Sequence, residues 1–216
     1  RRLPASAPAA APGGSRPGRL GDDLRHICRQ PAFHILFWSF VICGFTTTGV
    51  IETHFIPFAA SCGFSPITSA SAYGLLSALN LAGMILAGWL SDRMSPRLLL
   101  ALIYLLRAVT FLLLIDLDAE IELLFAFAAL FGLVDYSTVP PTARLISRHL
   151  GMRVMGLAFG IISAGHQLGA AAGAYLGGYL FDLFARYGEI WWASIALTLL
   201  AGLMVLLLPR RTGTAP

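Results

Sequence analysis

Residues 98–115 read LLLALIYLLRAVTFLLLI, eighteen positions with a single charge, Arg107. A helix rises about 1.5 Å per residue and the hydrocarbon core of a bilayer is about 30 Å thick, so a stretch of this kind suits a crossing helix. Five more apolar blocks flank it, at 33–58, 69–90, 121–139, 154–181 and 190–208. Over all 216 residues, 57% are hydrophobic and 12% charged, about half the charged share of a soluble domain. The composition predicts an all-α polytopic membrane protein with six transmembrane helices. It excludes a soluble core, a disulfide scaffold and a nucleic-acid module.

Outward from the blocks, residues 1–30 are rich in Pro, Ala, Gly and Arg and lack the apolar stretch of a signal peptide. They read as a flexible cytoplasmic linker, followed by a six-helix domain over 31–209 and a cytoplasmic tail over 210–216. The chain starts at Arg1 rather than Met, which leads us to expect that more sequence precedes it. All fifteen basic residues are Arg. Arg1, Arg2, Arg16, Arg19, Arg25, Arg29, Arg93, Arg97, Arg144, Arg148, Arg153, Arg210 and Arg211 fall on one side of the predicted spans. The opposite loops hold Asp116, Asp118, Glu120, Asp182 and Glu189 with Arg186. By the positive-inside rule both termini are expected in the cytoplasm, the location being a bacterial inner membrane. Tyr187, Trp191 and Trp192 begin the last block and are expected at the headgroup layer. Cys28, Cys43 and Cys62 read as apolar fillers.

A charge at mid-membrane costs about 3 kcal/mol on insertion scales, so each one needs a partner, a cavity or a job. The spans contain Glu52 and His54 in the first, Arg107 in the third, Asp135 in the fourth and His166 in the fifth, with polar Asn80 and Gln167. By residue count Asn80, Arg107 and His166 share the midplane. Glu52 and His54 fall in the outer third, and Asp135 falls in the inner third, near Pro140-Pro141, where its helix is expected to end. Arg107 and Asp135 are expected to form a structural ion pair. Glu52, Asn80, His166 and Gln167 are expected to line a cavity. His34 is expected at an interface. The chain has no HxxxH or CxxC spacing, no GxSxG elbow and no phosphate loop, so neither a metal site nor an intramembrane enzyme is expected.

Two further patterns carry information. Gly165, Gly169, Gly173 and Gly177 recur every fourth residue on the fifth span, and such a stripe lets a neighbouring backbone approach closely. Residues 88–97 read GWLSDRMSPR between the second and third spans. Gly88 there permits close contact, Asp92 suits a helix N-terminus, and Arg93 and Arg97 suit carbonyls or carboxylates. Together they make a candidate cytoplasmic gate.

This loop resembles that of the major facilitator superfamily, Gly-x-x-x-Asp-Arg/Lys-x-Gly-Arg/Lys-Arg/Lys, matched by Gly88, Asp92, Arg93 and Arg97. Ser95 stands for the usual glycine and Pro96 for a basic residue. GHQLGAAAGAYLGGYLFD (165–182) and VDYSTVPPTARL (134–145) are similar to the eleventh and tenth helices of monocarboxylate-transporter-like bacterial members. The resemblance implies that the six spans are helices 7 to 12 of a two-half fold. The first, second, fourth and fifth would face the cavity, and Arg107 would lie on a scaffold helix. It further implies secondary active transport of a small solute, such as an organic anion or monocarboxylate, by alternating access coupled to protons. Glu52, His166 and Asp135 are the proton-coupling candidates. The partners would be the solute, protons, the bilayer and an N-terminal six-helix half or a second copy, with no cofactor. The alternative is a non-transporting membrane sensor or assembly protein on the same half-fold.

Overall fold

The computed structural model describes residues 20–115, 117 and 120–209. Arg1, Arg2, Arg16, Arg19, Asp116, Asp118 and the 210–216 tail lie outside them. The described chain is helical: a short α1 (Leu20–Cys28) precedes six membrane-length helices. These are α2 (Pro31–Ser61), α3 (Pro66–Arg93), α4 (Pro96–Ile115), α5 (Ile121–Leu150), α6 (Met152–Phe184) and α7 (Gly188–Leu206). Three start on proline, whose missing N–H falls where a helix has no acceptor for it. Ser65 caps α3, its hydroxyl oxygen accepting the Thr68 N–H at 3.1 Å.

The helices pack chiefly as pairs, α2 with α6, α3 with α5 and α4 with α7. Glycine sets how close the first two pairs come. A Cβ at Gly169 would overlap the Val41 carbonyl, one at Gly173 the Phe45 carbonyl, and one at Gly83 the Leu133 carbonyl. Gly165 and Gly177 meet the Phe37 and His54 rings in the same way. Two apolar clusters fill the bundle. One, around Phe33, Leu36, Ile146 and Val205, lies toward the arginine-rich end; the other, around Phe55, Phe127 and Trp191, lies toward the opposite end.

The structure departs from the sequence reading in four places. Residues 20–28, read as linker, form α1, with Asp22 and Asp23 in its first turn and Arg25 and His26 in its last, which suits the helix dipole. Ile27 is fully buried, an ion pair joins Asp23 to Arg153, and His26 Nε2 lies 3.2 Å from the Leu150 carbonyl. Second, Trp191 and Tyr187 are 1% and 6% exposed. Phe58 and Phe181 offer ring contacts at centroid distances of 5.1 and 4.6 Å, which hold them inside the bundle; Trp192 alone of the three is exposed. Third, α5 does not end at Pro140-Pro141. It tightens into a 3-10 turn at Tyr136–Thr138 and restarts at Val139, so the prolines occupy a new first turn. Fourth, α2 winds as a π-helix over Phe45–Glu52. The hydroxyls of Thr46 and Thr47 donate back to Ile42 and Cys43 carbonyls at 3.0 and 2.8 Å, competing with the regular ladder.

Candidate functional site

The break in α5 frees backbone acceptors at the centre of the bundle. Val139 N–H turns to the Tyr136 carbonyl, three residues back instead of four, which leaves the Asp135 carbonyl without its helical donor. Arg107 supplies one. Its Nη2 donates to the carbonyls of Val134 and Asp135 at 3.0 and 2.5 Å, and Nη1 donates to Cys43 Sγ at 3.1 Å. The guanidinium is 0% exposed and ties α2, α4 and α5 together. The expected Arg107–Asp135 ion pair is thus replaced by a clamp on main-chain carbonyls. Cys43, expected as a filler, is an acceptor and also meets Thr138 Oγ1 at 3.5 Å.

The Asp135 carboxylate instead accepts from Asn80 Nδ2 at 2.9 Å. This bond corrects the depth reading. Because α5 runs on to Leu150, Asp135 lies halfway along it and level with Asn80, not in the inner third. Both residues are buried, and one oxygen of each, Oδ1, has no hydrogen-bond partner among the described residues. Glu52, half-buried on α2, accepts from the Tyr136 hydroxyl at 2.9 Å, so it too has an α5 partner. His166 lies 5.4 Å from the Phe40 ring, centroid to centroid, with Nε2 3.5 Å from Thr47 Oγ1. Gln167 is on the exposed side of α6 with Tyr175 and Tyr179. His54 points away from this layer, its Nε2 3.0 Å from the Ala174 carbonyl. His34 Nε2 lies 2.8 Å from the Cys28 carbonyl at an exposed position.

Of the residues expected to line a cavity, Glu52, Asn80 and His166 each contact a different group. What connects their layer is Cys43, Arg107 and Asp135 behind them. Along α3 the helical period puts Tyr73, Ser77 and Asn80 on one side, with the small Ala70 and Gly88 in line with them. Ile67, Ile85, Leu86 and Trp89 lie on the other and are exposed. The polar side is continuous with Glu52 and Tyr136; the apolar side suits lipid. Among the described residues no three His, Cys, Asp or Glu side chains are placed to hold a metal ion.

The arginine-rich end is organised differently from the expectation. Asp92 forms an ion pair with Arg144 of α5, whose Nη1 also donates to the Ser91 carbonyl at 2.6 Å. Arg97 Nη1 donates to the Leu208 and Leu206 carbonyls at 2.7 and 3.3 Å, capping α7 where its last acceptors are otherwise unpaired. Arg93 lies over the Trp89 ring at 3.9 Å. A Cβ at Gly88 would meet nothing within 4 Å, so the close contact expected there is not made by any described residue.

Sequence reasoning missed Tyr136, Thr47, Thr138 and Arg144. Three of these lie within VDYSTVPPTARL, where the two prolines signal a helix end and residue type alone does not reveal the partners across the bundle. A sequence model of the Major Facilitator Superfamily matches residues 2–118 and, in a second overlapping stretch, residues 63–216. No curated protein matches the chain.

Proposed function

The chain belongs to the Major Facilitator Superfamily, and we propose that it forms one six-helix half of a secondary transporter moving a small solute by alternating access with coupling to protons. Such carriers rock two halves about a site near the midplane. The observation that carries the reading is the Tyr136–Glu52 bond, which joins α5 to α2 beside the Asn80–Asp135 pair on the polar side of α3. Glu52 is the leading proton carrier. It is half-buried and its partner is a neutral phenol, so protonation breaks no ion pair. Asp135 is sealed behind Asn80 and comes second, with His166 third. Asn80, His166 and Gln167 complete this half of the solute cavity. Asp92 and Arg144 form the gate at the arginine-rich end, which lies in the cytoplasm of a bacterium with the termini. An organic anion such as a monocarboxylate would need its cation from beyond this half, because the Arg107 guanidinium is committed to carbonyls and a thiol.

The test is uptake by the intact carrier in proteoliposomes, with and without an imposed proton gradient, across a panel of small acids, amines and sugars. Gradient-driven accumulation of at least one solute is expected, with Glu52→Gln abolishing accumulation while leaving solute exchange intact. Gradient-independent uptake, or full accumulation by Glu52→Gln, His166→Gln and Asp135→Asn alike, would overturn proton coupling. Absence of any solute flux would favour the non-transporting alternative.

A further inference from the structure

An apolar groove of about 310 Å³ runs down the outside of the bundle between α3, α4 and α5, walled by Leu86, Leu90, Leu102, Leu106, Leu130 and Leu133. We propose that it is a specific site for an anionic phospholipid of the leaflet at the arginine-rich end, the acyl chain in the groove and the headgroup on Arg93.

Length is the first argument. Along α4 the groove extends from Leu99 to Thr110, about 16 Å at 1.5 Å per residue, against about 15 Å for half of a 30 Å hydrocarbon core. It therefore lies mostly in the half of the bundle at the arginine-rich end and passes the level of Arg107 by three residues of α4. Its lining is the second. The two hydroxyls of the lining, Thr110 at its far end and Ser137 partway along, donate to their own helices, to the Arg107 and Leu133 carbonyls at 2.7 and 2.6 Å. Neither offers a free donor, so the lining suits an acyl chain and not a polar solute.

The open end supplies the charge. Arg93 follows Leu86 by seven residues, two helical turns, and so stands on the groove's side of α3. Its guanidinium rests on Trp89, a residue exposed on the lipid side, and has no carboxylate partner among the described residues. Asp92, the adjacent acid, is taken by Arg144. An unneutralised guanidinium at the arginine-rich end, above an apolar slot about 16 Å long, is complementary to a phosphate-bearing lipid with net negative charge. The loop motif places Arg93 in the gate; in the structure Asp92 pairs with α5, while Arg93 folds over the exposed Trp89 and donates to its carbonyl at 3.3 Å.

The experiment uses the purified full-length protein, delipidated in detergent and exposed to equal amounts of dioleoyl phosphatidylglycerol and dioleoyl phosphatidylcholine, with retained lipid counted by native mass spectrometry. Retention should favour phosphatidylglycerol several-fold. Arg93→Gln should bring the two lipids to parity, Arg93→Lys should keep most of the preference, and Leu106→Trp, filling the groove from an exposed position, should lower retention of both. Equal retention by the parent protein, or an unchanged preference in Arg93→Gln, would overturn the headgroup assignment. Normal retention in Leu106→Trp would overturn the groove. None of these residues belongs to the proposed transport site, so loss of transport and loss of lipid binding are separable.

Discussion

At the scale of single residues, Arg107 decides the centre of the bundle. Its presence among seventeen uncharged neighbours made it conspicuous in the sequence, and its need for a partner inside the bundle was legible. Its partners were not, because two of the three are main-chain carbonyls, which residue type does not reveal, and the third is a cysteine. The fork geometry of the guanidinium spans α2 and α5 at once, which a lysine ammonium, a single point charge, does not reproduce. Arg107→Ala leaves buried carbonyls without their donor and should cost about 1–3 kcal/mol for each, read as a lower midpoint of thermal unfolding in detergent. Arg107→Lys should fall between that variant and the parent. A lysine variant as stable as the parent would show that charge alone, not the fork, holds the helices. Tyr136→Phe is the complementary case. It deletes one hydrogen bond at a partly exposed site, worth about 1 kcal/mol, so stability should barely move. Proton-driven accumulation should drop because Glu52 loses the phenol that ties it to α5; unchanged accumulation would detach Tyr136 from the coupling step.

At the scale of helices, hydropathy located all six spans but not their internal breaks. The apolar blocks are long because burial against lipid demands it, so their existence survives any local irregularity. The π segment of α2 and the 3-10 turn of α5 arise from Thr46-Thr47 hydroxyls and from Pro140-Pro141, local competitors of the backbone ladder that hydropathy does not weigh. Misjudging the prolines shortened α5 by eleven residues and displaced Asp135 from the layer it shares with Asn80. The glycine repeat of α6 was more transparent, since a missing side chain at every fourth position has one geometric use in lipid, close approach. Its strength is testable against Gly88. Gly169→Ala puts a methyl into the Val41 carbonyl and should lower the unfolding midpoint by several degrees. Gly88→Ala meets open space and replaces a weak helix former by a better one, so stability should hold or rise by about 1 kcal/mol. Equal losses in both would mean that the α2–α6 contact is not the tight one.

At the scale of the whole molecule, the family and the bundle were legible while the wiring between helices was not, because pairing across elements is a property of the fold. The loop motif announced Asp92, and nothing in the loop announced Arg144, fifty-two residues on. Their ion pair joins α3 to α5 at one end, while the Tyr136–Glu52 and Asn80–Asp135 bonds join α2 and α3 to the middle of α5. A carrier that alternates must break one set of such ties while keeping another, and the pair best suited to breaking is the most exposed. The Asp92 and Arg144 side chains are 57% and 40% exposed, so water screens them and the pair adds about 0–1 kcal/mol to static stability. That is little beside folding but large beside a conformational balance of a few kcal/mol. Asp92→Asn and Arg144→Gln should therefore leave the unfolding midpoint nearly unchanged while shifting the carrier toward opening at the arginine-rich end. Cysteine-labelling rates at positions introduced along the polar side of α3 would read that shift. The reversal of both charges, Asp92→Arg with Arg144→Asp, should restore much of the parent labelling pattern, since attraction between the two positions survives the exchange. If the single variants label as the parent does, or if the double reversal behaves as the sum of two losses, the pair is a surface contact and the gate lies elsewhere.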